Sequence, residues 1–258
     1  MRLRFFANAG VELAAMLRRA IDSILTTIYP QQCFACSGLV ESQSSGDACD
    51  RCWEETTVFD GSESLCQKCG AVQDRNIASE IASCPNCHDA YYDSAIAAGV
   101  YEKAIAASVV NLKTSPHLSC RVEKLIDRLA EKIATETPSV IIPVPLSRSR
   151  RYERGYNQAE IIANAISART ELPVVKACLV RSKQTPMHRI AMDKRARELT
   201  VEKAFEARTP RLIEGKDVYL VDDVFTSGAT ASACARVLKK NGARKVIVVT
   251  LARAVLYL

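Results

Sequence analysis

Asp222 and Asp223 stand side by side after an apolar run, Val218–Val221, and a short loop of Thr226, Ser227, Gly228, Ala229 and Thr230 follows them. Adjacent carboxylates at such a point can accept hydrogen bonds from vicinal ribose hydroxyls. A loop of hydroxyl side chains and backbone N–H groups that opens a helix can wrap a phosphate, and the helix start adds partial positive charge. The ligand suited to this segment is a sugar bearing a phosphate. No Gly-Lys-[Ser/Thr] is present, so the loop is not a Walker loop.

A second segment has matching chemistry. Residues 143–158 open with Pro143, Val144, Pro145 and Leu146 and carry Arg148, Arg150, Arg151 and Arg154, four guanidinium groups within seven residues. Arginine grips phosphate oxygens in a bidentate fork. A solvated basic loop is the plainer reading. Its position after the strand-like Val140–Val144 favours a pyrophosphate cradle.

The third chemical signal is cysteine. The chain has eleven, and eight form Cys-x-x-Cys pairs: Cys33/Cys36, Cys49/Cys52, Cys66/Cys69 and Cys84/Cys87. Two such pairs make a tetrahedral tetrathiolate site, for which zinc is the default metal. Eight ligands imply two zinc ions. Sequential pairing puts Cys33, Cys36, Cys49 and Cys52 on one ion and Cys66, Cys69, Cys84 and Cys87 on the other; crossed pairing stays open. A redox dithiol would need one pair at a helix start after a strand. The runs typical of iron–sulfur proteins are absent. Closed sites of this kind are structural. His88 could replace a thiolate but reads as a bystander. Cys120, Cys178 and Cys234 read as buried or half-buried residues.

These groups need a scaffold. Residues 31–90 are polar and turn-rich, too poor in apolar runs to build a large core, and the metal sites staple them. Beyond Tyr91 the chain alternates: strand-like Ala95–Tyr101, helical Lys103–Leu112 and Arg121–Thr135, strand Val140–Val144, helix Asn157–Arg169, strand-like Leu172–Val180, strand Asp217–Val221, helix Ala229–Asn241 and strand Lys245–Leu251. Alternation predicts an α/β fold with a mostly parallel sheet flanked by helices, whose ligands bind at the carboxyl ends of the strands. Both phosphate-type segments lie at such ends. Residues 9–28 place Leu13, Leu17, Ile21, Ile24 and Ile28 on one helical face, read as docking against the fold, with a membrane-surface role as the alternative. The expected divisions are 1–30, 31–90 and 91–258.

The net charge of +6 suits anionic ligands or nucleic acid. One Trp and six Phe advertise no rich base-stacking surface. No run approaches the roughly 18 apolar residues of a membrane span, and Glu12, Arg18 and Arg19 interrupt the one segment like a signal peptide. A cytoplasmic protein is expected.

The stretch 218–230 resembles the phosphoribosyl pyrophosphate (PRPP) motif of type I phosphoribosyltransferases, a hydrophobic strand followed by Asp-Asp-x-x-Thr-[Ser/Thr]-Gly-x-Thr. Together with Pro143-Val144-Pro145-Leu146, Arg154-Gly155-Tyr156-Asn157-Gln158-Ala159 and the upstream cysteine pairs, the order is similar to that of the ComF family, which includes GntX-like proteins. Val100-Tyr101-Glu102 and Leu112-Lys113 fit the same pattern. The resemblance implies a double zinc ribbon joined to a type I phosphoribosyltransferase fold. It implies a pyrophosphate loop at Pro143–Leu146, a basic signature at Arg154, Gly155, Asn157 and Gln158, and a ribose-phosphate site at Asp222, Asp223 and Thr226–Thr230. Ser147 stands where the family usually has His. Downstream, Arg197 matches the family, whereas His188 and Thr200 replace its Gln and Asn.

The function so implied is transfer of phosphoribosyl from PRPP, with Mg2+, to an unidentified nitrogen acceptor with release of pyrophosphate. The alternatives are a single-stranded DNA-handling role in competence and DNA uptake, as the family association suggests, and a PRPP sensor without turnover.

Overall fold

A computed structural model describes residues 17, 21–22, 24–42, 46–73, 84, 87–133, 136–182 and 204–255. Its central element is a four-stranded parallel sheet in the order β1-β6-β5-β2, with β1 Ser94–Val100, β2 Ser139–Pro143, β5 Asp217–Phe225 and β6 Lys245–Arg253. β2 is buried along its whole length and β5 as far as Val221, which explains their continuous apolar runs. After a short helix α1 (Asp50–Glu54) in the cysteine-rich segment, helices α2 (Lys103–Asn111), α3 (Cys120–Glu131) and α5 (Gln158–Thr170) cover one face. Helix α6 (Ala229–Lys240) covers the other. The strand period of two sorts β5 between them: Tyr219 and Val221 face the first core, Val218 and Leu220 the second. α3 buries Val122, Leu125, Ile126 and Leu129, a stripe at helical spacing, and Ser119 caps its start by accepting from the Val122 amide at 3.4 Å.

Both sheet edges are closed. Along β1, Phe59 N donates to Ala98 O at 2.8 Å and Val100 N to Thr57 O at 2.9 Å, so the cysteine-rich segment supplies an edge cover. Gly99 is required there, because a Cβ would lie 2.4 Å from Thr57 O. Along β2, Ile141 N donates to Pro173 O and Val175 N to Ile141 O.

The expected strand over 172–180 is therefore divided. Residues 173–175 extend the main sheet, and only β3, Leu179–Arg181, is a named strand, paired antiparallel with β4, Phe205–Ala207. A turn at residues 176–178 separates the two pieces, so the run does not continue as one strand. The arginine segment, expected as a loop, forms the short helix α4, Arg148–Arg154, capped by Ser147 and ended by Gly155 in the left-handed region. Cys120 is exposed rather than buried, whereas Cys178 and Cys234 are buried as expected.

Residues 24–28 are helical, in line with the N-terminal pattern, but the expected docking is not seen among the described residues, where Leu17, Ile21, Ile24, Leu25 and Ile28 are all exposed. This segment meets the ribbon through Ser42 Oγ, which donates to Asp22. Leu13 lies outside the described residues. Among the described residues no helix is long and apolar enough to cross a membrane.

Candidate functional site

The parallel order places the carboxyl ends of β2 and β5 side by side, and one bond fixes their closest approach. Val144 N donates to Val221 O at 2.8 Å, so Pro143, Val144 and Pro145 begin one residue from Asp222. Asn157 holds this turn from behind. Its Nδ2 donates to Val144 O at 3.0 Å while its Oδ1 accepts from Ala159 N at 3.1 Å and caps α5. Asn157 and Gln158 are both buried beneath the site.

Asp222 and Asp223 are half-buried at the end of β5. Asp223 N donates to Asp222 Oδ1 at 3.0 Å, and Val224 N donates to Asp223 Oδ1 at 2.7 Å. Burial, reinforced by the neighbouring Asp223 charge, pushes the Asp222 carboxyl up to about 8. A carboxylate pair held this way suits a ligand that brings hydroxyls or cationic charge.

Beyond Phe225 the chain exposes Thr226 and Ser227 and then turns through Gly228 into α6, with Ala229 and Thr230 in its first turn. Gly228 has φ +76°, and a Cβ there would lie 2.7 Å from the Phe225 ring. The loop thus depends on glycine for both conformation and space. At the α6 start Ala229 N donates to Ser227 Oγ at 3.4 Å, and the first-turn N–H groups of a helix suit an anion.

Arg148 and Arg150 on α4 are exposed, Arg154 is half-buried, and Arg151 pairs with Glu160 at 3.3 Å. Helix α4 follows β2 in the chain, and among the described residues its arginines make no hydrogen bond to the loop at 226–230. His188, Arg197 and Thr200 lie outside the described residues.

The eight paired cysteines form two clusters, Cys33, Cys36, Cys49, Cys52 and Cys66, Cys69, Cys84, Cys87, each with its sulfurs within 4.8 Å of one another. Sequential pairing is thereby resolved. Sulfur separations are 3.8 Å for Cys33–Cys52, 3.7 Å for Cys36–Cys49, 3.6 Å for Cys66–Cys87 and 3.5 Å for Cys69–Cys84. A zinc tetrathiolate with bonds of about 2.3 Å has edges of about 3.8 Å, so both donor sets fit the ion. Burial opposes ionisation of Cys33, but backbone hydrogen bonds from Cys49, Cys36 and Ala35 outweigh it and lower its pKa to about 6. At Cys66, burial is likewise outweighed by backbone bonds from Cys69, Cys84 and Lys68, again to about 6. His88 is exposed beside Asp89 and belongs to neither cluster.

The two clusters belong to different cores. Cys33, Cys49 and Cys52 pack into the core under α2, α3 and α5, with Trp53. There the ribbon caps α2, since Thr56 Oγ1 accepts from Ala104 N at 3.0 Å. Asn111 donates to Asp47 and Arg121 pairs with Asp50. Cys66, Cys69 and Cys87 pack into the core under α6. Residues that the sequence did not single out join this second cluster to the phosphate-type loop. They are Arg253, whose guanidinium donates to Cys69 O and Thr226 O, and Tyr92, which stacks edge-on against Phe225 at 5.6 Å. The one available signal was an arginine ending an otherwise apolar strand.

Comparison with known proteins agrees with this division. A double zinc ribbon domain matches residues 24–91, and a phosphoribosyl transferase domain matches residues 108–255. Competence protein F of Haemophilus influenzae is 27% identical over 234 residues, covering 86% of this chain and 97% of that protein. Competence protein ComFC of Bacillus subtilis is 32% identical over 111 residues, spanning 43% of this chain and 42% of its own length. DNA utilization protein YhgH of Escherichia coli K12 is 30% identical over 118 residues, 46% of this chain and 51% of that protein. Among solved structures, a glutamine PRPP amidotransferase from B. subtilis is 22% identical over 50% of this chain and 25% of its own, with a TM-score of 0.35; no functional point rests on it. With its carboxylate pair, glycine-turned loop and tetrathiolate sites at the matched positions, the chain belongs to the phosphoribosyl transferase domain family, in the ComF-type arrangement with an N-terminal double zinc ribbon.

Proposed function

We propose that the chain binds PRPP across the carboxyl ends of β2 and β5 and transfers its phosphoribosyl group to a nitrogen nucleophile. In this reaction the bond between the anomeric carbon and a pyrophosphate oxygen breaks. A carbon–nitrogen bond forms, pyrophosphate departs with the bonding electrons, and the nucleophile sheds its proton. The observation that carries the reading is the Val144 to Val221 bond, which sets the Pro-Val-Pro loop against a carboxylate pair and a helix-opening hydroxyl loop. The loop at Thr226, Ser227, Gly228, Ala229 and Thr230 would hold the sugar phosphate. Asp222 and Asp223 would hold the ribose hydroxyls and favour positive charge on the ring. Burial and the Asp223 charge raise the Asp222 carboxyl, and cationic charge arriving with the ligand would draw the pair back to its ionised form. Arg148, Arg150 and Arg154 would supply forks for the pyrophosphate. Mg2+ brought with PRPP would neutralise that leaving group, and the two carboxylates are the hard oxygen donors suited to orient its shell.

Pyrophosphate release from PRPP, assayed with a panel of bases and amines, tests the reading. Asp222→Asn combined with Asp223→Asn should abolish it. PRPP binding without release for any acceptor would leave a sensor and remove the transferase.

One observation favours a second reading, single-stranded DNA handling. Tyr152 is 94% exposed on α4 among Arg148, Arg150 and Arg151, an aromatic platform flanked by guanidinium groups. The relatives named competence protein and DNA utilization protein support the same reading.

A further inference from the structure

We propose that Arg253 couples zinc at the Cys66/Cys69/Cys84/Cys87 site to the loop at Thr226–Gly228, so that ligand affinity and zinc retention at this one site rise together; the inference rests on the PRPP-site reading.

Arg253 ends β6 and is only 7% exposed. Its Nε donates to Cys69 O at 3.1 Å, and Nη2 lies 3.9 Å from Cys69 Sγ. Its Nη1 donates to Thr226 O at 2.6 Å, Phe225 O at 3.2 Å and Ala254 O at 2.9 Å. The guanidinium also lies 4.5 Å from the Phe225 ring centre. One rigid fork thus joins a metal ligand to the first residue of the phosphate-type loop. Among the described residues Arg253 makes no ion pair with a carboxylate. A buried cation needs a counter-charge, and a zinc tetrathiolate carries net negative charge. The loaded site therefore holds the guanidinium in place, and the guanidinium holds the Thr226 carbonyl.

A second contact runs in parallel. Tyr92, five residues after Cys87, is buried, packs edge-on against Phe225, and bounds the space at Gly228, where a Cβ would lie 3.1 Å from its hydroxyl. The first cluster lies in the opposite core with no such connection among the described residues, and so serves as an internal control. Outer-shell groups that donate to metal ligands tune metal retention, and coupling between two sites is reciprocal.

The full zinc-loaded chain tests this. Zinc release to a chromogenic chelator is followed with and without PRPP and Mg2+. Alkylation of the freed thiols and peptide mass spectrometry assign each phase to its site, while calorimetry records PRPP binding. The expected result is release from the second site slowed by at least about fivefold, with the first site unchanged. Arg253→Gln should retain both zinc ions and lose the slowing, and Arg253→Lys should keep part of it. PRPP binding that slows neither site, or both equally, overturns the coupling and leaves the binding reading intact. Absence of any PRPP heat overturns both. The wild-type measurement decides the matter even if the variants fail to fold.

Discussion

The Val144 amide donates to the Val221 carbonyl at 2.8 Å, and this bond sets the spacing of the whole candidate site. It lies where β2 ends and β5 continues, so the Pro-Val-Pro turn is pinned one residue before Asp222. Asn157 then grips the Val144 carbonyl, and α5 is anchored to the same turn.

That anchoring can be measured. Asn157→Ala removes a helix cap and the bond to Val144 O, which should lower stability by about 1–2 kcal/mol and Tm by roughly 3–8 °C. PRPP affinity should fall with it, read by calorimetry. A variant with the lower Tm and unchanged affinity would separate Asn157 from the site.

Asp222 gives a pH signature. Its folded pKa lies near 8, raised by burial and by Asp223. A raised carboxyl stabilises the folded state at low pH, and that stability is lost as pH climbs from the ordinary carboxylate range through about 8. Asp222→Asn escapes the loss. The variant should therefore gain stability over wild type as pH rises from about 6 to 8, by an amount on the order of 1–2 kcal/mol that is read as a rising Tm difference, while PRPP affinity disappears. A Tm difference that does not change with pH would refute the assignment.

Gly228→Ala should reshape the phosphate-type loop, because the new Cβ meets the Phe225 ring at 2.7 Å and the φ of +76° disfavours any side chain. A stability loss of about 1–3 kcal/mol with at least tenfold weaker PRPP binding is expected. Unchanged binding would show that the loop does not hold the ligand.

Trp53 is the only tryptophan in the chain, sits next to Cys52 and is 7% exposed. Chelating the zinc should redden its fluorescence as the first cluster opens, and elemental analysis should find two zinc ions per chain before treatment. A protein whose emission does not change on full zinc removal would hold its ribbon by packing alone.

For the DNA reading, Arg150→Ala with Tyr152→Ala should weaken single-stranded DNA binding and flatten its salt dependence by about one phosphate contact. Pyrophosphate release should be measured in the same variant, since Arg150 is also a candidate for the pyrophosphate cradle. DNA binding that is indifferent to both salt and substitution would remove this role.

Much of the fold was legible in the sequence. The apolar runs at Val140–Val144 and Asp217–Val221 announced strands buried on both faces, and the helical stripe Val122, Leu125, Ile126, Leu129 announced α3. The run at 172–180 was misjudged because its composition does not reveal the turn at 176–178, where the chain leaves the main sheet and pairs with β4 instead. The arginine helix was missed because no apolar stripe marks it; its order comes from Ser147 and Gly155 at its ends. Leu17, Ile21, Ile24, Leu25 and Ile28 stay exposed among the described residues, because an amphipathic pattern states what a helix could bury and not where a surface would receive it.

By itself the sequence determined the chemistry: two carboxylates before a hydroxyl loop, arginines after a proline turn, eight thiols in four pairs, and a strand–helix alternation to carry them. Such properties depend on residue type and local spacing, and the backbone periods of 2 and 3.6 residues convert them directly into faces. Tertiary structure alone decided which thiol pairs join, that the two clusters lie in opposite cores, and that Arg253 reaches both Cys69 and Thr226. Those relations span up to 184 residues of chain. They exist only after the sheet has brought β6 alongside β5, and no local pattern encodes where distant segments meet.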